Sequence, residues 1–593
     1  STDNIDPIFK REIENKFSVG SLNYIRKISV IQNSIFGSDI QPIAVEISRL
    51  RCFLSLIIEE KVKDDEENRG INPLPNLDFK FIIANSLVKL DNSAQMTLFE
   101  NIDNIKALKN VREEYFIADT SRRNELKLEF ANIQQNMLLE SIQLFGKSPS
   151  KKYYQLSAWK PFANEPTDWF DKDWMFGVNE GFDIVIGNPP YIGTGSRDTS
   201  GRMSKEEKEY YRNNYPNSAE YKINMYALFM EFAINSCKNG GVSSFIVPDS
   251  FLLGMYFSKI RAYILKTCKI KHIAILGSDV FNACVGYSVI YLFQKQEHTD
   301  DDLMKFIDVV QKNGFVDDSH SFAYPQSYAK KTDRSRFRIF FDKETKNLID
   351  KIENNSCKLG ENYTGRTGVR SKIGQKNILA LSQEKPTYKK GITSGSQVID
   401  YKVIYEGDWI NIDPPLLNAG GWDKDIIENP KLFVRQTADT IIAAYDEDGL
   451  YHLNNVHSFA PNNDKWNIKY ILAILNSKVI RWYYEILANE KGRPMPQTDI
   501  ETLETLPIKY NEDYVDDIVE LVEKIISDYD NKEVYIKELD EKIFDIYGLD
   551  DNDKNVIKKY FGISYSKTKT EDILYEETED ENNYLMVAED NET

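Results

Sequence analysis

The sequence predicts an α/β protein with a parallel, doubly wound sheet in its first half. A mixed α+β region of short strands follows, and then a set of helices. Three observations carry this. Between residues 34 and 300, apolar strand-like runs alternate with stretches of helical period. From about 355 to 505 the strand-like runs shorten and are punctuated by Gly, Asn, Asp and Pro, with helices around 466–487. Residues 512–562 are charged and strongly helical in pattern.

Each element has its own signal. SIFGSDI (34–40) reads as a short strand, and Pro42 then stands at the first position of a helix. Ile43, Ile47, Leu50, Leu54 and Ile57 recur every three or four residues along it, so that helix is amphipathic. FKFIIANSL (79–87) is a second strand, and 95–145, without Gly or Pro, predicts two long helices. Phe182 to Ile186 is an apolar strand that runs into a Pro-stiffened turn. A helix over Met225–Cys237 ends at Gly240-Gly241, and VSSFIVP (242–248) is again a strand. A helix (251–267), the strand KHIAIL and the β-rich GYSVIYLFQK complete this half. Residues 300–335 are polar and irregular, which predicts a linker.

The 593 residues suggest about four domain-sized units. No run reaches the roughly 18 apolar residues of a membrane helix, and the start is not a secretory signal. Cys52, Cys237, Cys268, Cys284 and Cys357 are scattered, which argues against a disulfide framework or a structural zinc and fits a reducing cytoplasm. A net charge of −19 argues at face value against a nucleic-acid partner. The charge is unevenly spread. From Glu571 onward there are ten acidic residues and no Lys or Arg, more than half of the net charge. Between Thr364 and Lys402, eight basic residues face only Glu384 and Asp400.

The sharpest signal is Asn188-Pro189-Pro190-Tyr191, placed directly after an apolar strand. The exocyclic amine of adenine is a poor nucleophile because its lone pair is delocalised into the ring. The Asn188 side-chain oxygen and the Pro189 carbonyl could accept both amine hydrogens and draw the nitrogen toward tetrahedral geometry. The prolines fix the turn and bring no competing N–H. Tyr191 offers a ring for stacking an extruded base, worth about 1–3 kcal/mol, and reaching that amine in a duplex requires base flipping. The bland alternative is a stiff turn.

Several stretches, in this order, resemble the adenine-specific DNA methyltransferases of gamma motif order. More narrowly, the chain is similar to the methyltransferase-plus-specificity portion of Type IIG restriction–modification enzymes. They are IFGSDIQPIAVEISRLR (35–51), LPNLDFKFIIANSL (74–87), WMFGVNEGFDIVIGNPPYI (174–192), NMYALFMEFAINSCKNGGVSSFIVPDSFL (224–252) and DVFNACVGYSVI (279–290). The resemblance implies a Rossmann-like sheet and S-adenosylmethionine as methyl donor. It places Asp39, with Ile40 beside it, at the cofactor ribose, and Asn85 with Ser86 at its adenine. Asp39 as a helix N-cap and Asn85 as a turn residue stay open as alternatives. Phe281 matches the aromatic that packs on the flipped base opposite Tyr191, or is plain core. Asn224, Pro248 and Phe251 shape the pocket. The family's Gly-rich cofactor loop should precede Asp39, yet residues 1–38 hold only Gly20 and Gly37. The expectation is therefore a chain truncated at its start, with the cofactor loop, and a nuclease where one exists, lying upstream. Asp342, Glu344 and Lys346 have nuclease-like letters but read as the start of a surface helix.

The domain expectation is a methyltransferase over 1–300 with a helical insertion at about 93–150, and a linker over 301–354. A target-recognition domain spans 355–508, a helical segment 509–566 and an acidic tail 567–593. Arg366, Arg370, Lys372, Lys389, Lys390, Arg435, Lys491 and Arg493 are the candidate contacts to double-stranded DNA. His452 and His457 read as structural, and no metal site is expected. The expected activity is site-specific methylation of adenine. The alternatives are a DNA-recognition fragment without catalysis of its own, or a phage-defence methyltransferase lacking a nuclease.

Overall fold

The computed structural model describes residues 22–568, apart from 61, 63, 66, 72–74, 92–101, 146–150, 192–202, 278–279, 281–286, 310–319 and 489–495. Phe281, Lys491, Arg493 and the acidic tail beyond 568 lie outside the described residues. The chain divides into two compact units, Ser1–Val185 with Leu228–Ser243, and Ile186–Ala227 with Ser244–Thr593.

In the first unit, β1 (Gly37–Asp39) and β2 (Phe81–Ile83) pair in parallel, with Asp39 opposite Ile83. The helix between them, Pro42–Ile57, opens on Pro42 as the sequence predicts. Its Val45 and Leu56 pack with Tyr24 and Ile31 of the preceding helix (Leu22–Ser34) and with Phe81 and Ile83. The two long helices, Ile102–Ile117 and Thr120–Phe145, are integral to this unit. Leu108, Val111, Tyr115, Leu126, Phe130 and Ile133 join Phe79, Ile82, Trp159 and Trp169 in one buried cluster.

The division falls within β3 (Phe182–Gly187) and β4 (Cys237–Pro248), members of a six-stranded sheet of order β3-β4-β6-β5-β7-β8. The other strands are β5 (Cys268–Gly277), β6 (Ser288–Lys295), β7 (Leu303–Asp308) and β8 (Ser321–Pro325). The β5–β7 pair is parallel, whereas β5–β6 and β7–β8 are antiparallel, so the sheet is mixed. The chain between β5 and β6 is too short for a parallel crossover. The helix before β4 ends at Ser236, earlier than its predicted glycine stop, because β4 already begins at Cys237. A Cβ on Gly241 would stand 2.6 Å from the Phe182 carbonyl, so this glycine serves close strand approach.

Residues 301–354, expected to be a linker, hold β7, β8 and the helices Gln326–Lys331 and Lys343–Glu353. Met304, Phe306 and Tyr324 are buried there, and intervening charged residues mask the alternation. Asp342 caps the second helix, accepting from the Thr345 N–H at 2.6 Å.

The rest of the second unit contains two four-stranded sheets. Strands 363–367, 456–461, 431–435 and 443–446 form one, in that order, entirely antiparallel. Strands 379–380, 409–411, 388–392 and 451–452 form the other. The buried helix Ile468–Asn476, the helix Lys478–Ala488 and three C-terminal helices (Val515–Ser527, Lys532–Ile546, Asp551–Thr568) complete it.

Candidate active site and nucleic-acid interface

Parallel strands place their carboxyl ends side by side, and in the first unit this brings Asp39 next to Asn85 and Ser86. Ala84 N–H donates to the Asp39 carbonyl at 2.9 Å, and the hydroxyls of Ser38 and Ser86 are 3.0 Å apart. The exposed Asp39 carboxylate accepts from Gln41 N–H through Oδ1 at 2.8 Å. That bond orients the carboxylate and leaves Oδ2 open. It is also a local turn contact, but not a helix cap: the N-cap of the helix that follows is Gln41, with no side-chain cap bond. Asn85 Oδ1 accepts from Leu87 N–H at 3.2 Å, which fixes the turn and leaves the amide nitrogen as a donor.

In the second unit the Asn188–Tyr191 turn leaves β3 with Pro189 buried and Asn188 and Pro190 exposed. The Asn188 carboxamide engages no described residue. Tyr191 is held half-buried. Its hydroxyl donates to the Ile246 carbonyl at 3.2 Å, and its ring meets Tyr226 edge-on at 6.3 Å. Burial pushes the Tyr191 phenol pKa up. Tyr226 in turn stacks on Phe257 at 5.4 Å and shares a 2.8 Å hydrogen bond with Ser250. A Cβ on Gly187 would lie 3.2 Å from the Phe245 ring, so the turn leaves β3 through a tight passage. Phe251 is fully buried against Tyr291 and Phe337, a packing role as expected, and Asn224 Nδ2 donates to the Lys222 carbonyl at 3.3 Å.

The same unit contains a cleft of about 1150 Å³ whose lining includes Lys222, Asp249, Tyr256, Thr367, Gln436 and His457. Lys331, Arg336 and Lys358 add positive charge to it, and the sequence reading missed all three. For Lys331 and Arg336 the signal was the basic run Lys330 to Arg338, lost inside the supposed linker. Of the predicted contacts, Arg366, Arg370, Lys372, Lys389 and Lys390 have no ion-pair partner among the described residues. Arg435 is a correction. Its Nε and Nη2 each donate, at 2.9 Å, to the carbonyls of Gly395 and Val398, so it secures a loop instead of waiting for phosphate. Burial lowers its pKa. His452 and His457 are buried and structural. The His457 Nε2–H donates to the Thr498 carbonyl at 2.9 Å, and burial drives the His452 pKa down to about 3.

Comparison with known proteins fits this division of labour. Residues 33–281 match the Eco57I restriction-modification methylase family, and residues 390–508 match the TaqI-like C-terminal specificity domain. The chain carries an Eco57I-like methylase domain followed by a TaqI-like specificity domain. The Asn188–Tyr191 turn, Asp39 and Asn85 fall in the methylase domain, and Lys390 and Arg435 in the specificity domain. RM.MjaORFECS2P of Methanocaldococcus jannaschii, named as a type II restriction enzyme and methyltransferase, is 26% identical over 569 residues. The match takes in 82% of this chain, which spans 45% of that relative's length. Type II methyltransferase M.BstVI of Geobacillus stearothermophilus is 20% identical over 60% of this chain and 72% of its own. The solved Type IIL enzyme MmeI, in complex with DNA, aligns at 12% identity and a TM-score of 0.48, over 95% of this chain and 77% of its own.

Proposed function

We propose that this chain carries out site-specific transfer of a methyl group to the exocyclic amine of a flipped-out adenine in double-stranded DNA, as part of a restriction–modification enzyme. The observation that carries the reading is the strand-end turn Asn188-Pro189-Pro190-Tyr191, with its carboxamide open to solvent and its tyrosine pinned from two directions. In this reading Asn188 Oδ1 and the Pro189 carbonyl accept the two amine hydrogens and localise the nitrogen lone pair. Tyr191 stacks on the extruded base, and Phe281 packs opposite it. A relative from Escherichia coli O9:H4 that is 22% identical over 43% of this chain is named an adenine-specific methyltransferase, which supports the choice of base.

S-adenosylmethionine, when bound, supplies the electrophilic methyl group. The residues at the ends of β1 and β2 suit it. A carboxylate with one oxygen anchored and the other open matches a vicinal diol, Ile40 adds an apolar surface, and Asn85 with Ser86 offers donors to a purine edge. Arg366, Arg370, Lys372, Lys389 and Lys390, with Lys491 and Arg493, supply the salt-sensitive part of DNA affinity.

The test is transfer of labelled methyl from S-adenosylmethionine to unmethylated bacterial DNA, followed by mapping of N6-methyladenine. The wild-type chain should label adenine within one short sequence. Asn188→Ala should abolish labelling while DNA binding persists. Labelling that survives Asn188→Ala, or that falls on cytosine, overturns the reading.

A further inference from the structure

The cleft of the second unit carries charges and rings that the methyl-transfer reading leaves without a task. Carboxylates on its lining are already engaged: Asp350 with Lys346 at 2.7 Å, Glu353 with Arg338 at 2.6 Å, Glu501 with Arg334 at 3.4 Å and Asp333 with Lys358 at 3.7 Å. Lys222, Lys331 and Arg336 line the same cleft with no ion-pair partner among the described residues. The buried Nε of Arg336 has no hydrogen-bond partner among them either. Unspent donors that all carry positive charge suit an anion. Rings stand beside these cations. Tyr256 also lines the cleft, with Lys222 Nζ 5.0 Å from its ring centre. Tyr221 packs on Tyr256 at 6.0 Å and 31°, and is itself 60% exposed. We propose that this wall holds the DNA strand next to the extruded adenine: Tyr221 stacks on a base left unpaired at the gap, and Lys222, Lys331 and Arg336 grip backbone phosphates.

The inference rests on the reading of the chain as a DNA methyltransferase that flips its base. A ring beside free cations is the pairing that takes a nucleotide, base on the ring and phosphate on the charge. Two connections tie the wall to the catalytic turn and fix its shape. Phe257, the chain neighbour of Tyr256, stacks on Tyr226 at 5.4 Å, and Tyr226 braces Tyr191 edge-on. Aromatic residues therefore link the catalytic turn to the cleft wall. Arg261 is wholly buried and donates to the Phe251 and Gly254 carbonyls at 2.9 and 2.7 Å, and to the Arg334 carbonyl at 3.0 Å. It holds the segment that carries Tyr256 against the segment that carries Arg336, so both are ordered before DNA arrives, which lowers the cost of binding. No carboxylate among the described residues pairs with Arg261, so its charge adds to the positive field of the wall.

The test is fluorescence anisotropy of the full chain on two labelled duplexes of one sequence, one fully paired and one with a central unpaired stretch. The wild-type chain should bind the partly unpaired duplex about tenfold more tightly. Tyr221→Ala should remove most of that preference. Tyr221→Phe, which keeps the ring, should retain it, and so separates lost stacking from a misfolded variant. Lys222→Gln and Arg336→Gln should weaken binding to both duplexes alike, and each should reduce the slope of log binding constant against log salt by about 1. A wild-type chain that binds the two duplexes equally overturns the proposal. So does a preference unchanged by Tyr221→Ala, or a salt slope indifferent to both charge variants. Those three results leave the methyl-transfer reading standing, whereas a chain that binds neither duplex sinks both.

Discussion

Replacing Lys431 by Met tests how the sheet that underlies the specificity domain is held. Lys431 and Asp446 face each other in register across adjacent antiparallel strands, with side chains 0% and 2% exposed. Lys431 Nζ donates to the Asp446 carboxylate and to the Ile427 carbonyl, while among the described residues Asp446 otherwise accepts only from Leu450 N–H at 3.1 Å. Burial outweighs the partner for both groups, lowering the lysine pKa and raising that of the aspartate. Without the ammonium group, Asp446 would take up a proton on folding. At pH 7 the unfolded carboxyl, with a pKa of about 3.9, lacks that proton, so three pH units at about 1.4 kcal/mol each cost about 4 kcal/mol. That agrees with the 3–5 kcal/mol of a broken buried pair. A folded pKa raised above the unfolded one means stability lost as pH rises, so the deficit should shrink from pH 7 toward pH 4. Lys431→Met with Asp446→Leu should recover nearly all of it, because two well-packed apolar chains carry no desolvation cost. Hydrogen exchange of peptides spanning 431–446, as a function of urea and pH, reads the local stability. A single variant costing under about 1 kcal/mol, or a double variant as unstable as the single, refutes the reasoning.

Tyr191→Ala should lower methyl transfer by about 10- to 100-fold through lost stacking, whereas Tyr191→Phe, which keeps the ring but removes the hydroxyl bonded to Ile246, should cost about 1 kcal/mol of local stability and little rate. Burial depresses the His452 pKa to about 3 from an ordinary 6.5, so its contribution to stability is present above pH 6.5 and is lost as pH falls toward 3. His452→Phe, beside Phe433 at 5.0 Å, should flatten that part of an acid-denaturation profile. Arg370→Ala and Lys372→Ala should each reduce the slope of log binding constant against log salt by about 1. Arg435→Ala should leave the slope unchanged but loosen residues 395–398, visible as faster hydrogen exchange.

What could be read from the chain alone was local. The strand–turn at 182–191, the proline start at 42 and the Asp342 cap each depend on neighbours within a few residues, and the structure has them all. The strand ends carrying Asp39 and Asn85 were legible because strand–helix–strand alternation fixes which ends lie together. Long-range information was not legible. Arg435 looks like any basic surface residue until Gly395 and Val398, some forty residues earlier, come within 2.9 Å. β7 was hidden because Lys305 and Asp308 dilute its apolar residues. The period of helix 42–57 revealed one apolar face; that two opposite faces are apolar, and which of them is covered, depended on the fold.

The stretch first taken for a linker bears on how new sequence preferences could be built by exchanging parts between relatives. Arg338 grips Glu353 through two nitrogens, at 3.0 and 2.6 Å, and Tyr483 donates its hydroxyl to the same carboxylate from the helix Lys478–Ala488. A graft joined at residue 355 would mix one parent's arginine and glutamate with another's tyrosine and strand a half-paired charge, whereas a joint at 300 would keep all three together. Crossovers that keep Arg338, Glu353 and Tyr483 together should yield chimeras that fold; cuts between them should yield insoluble ones.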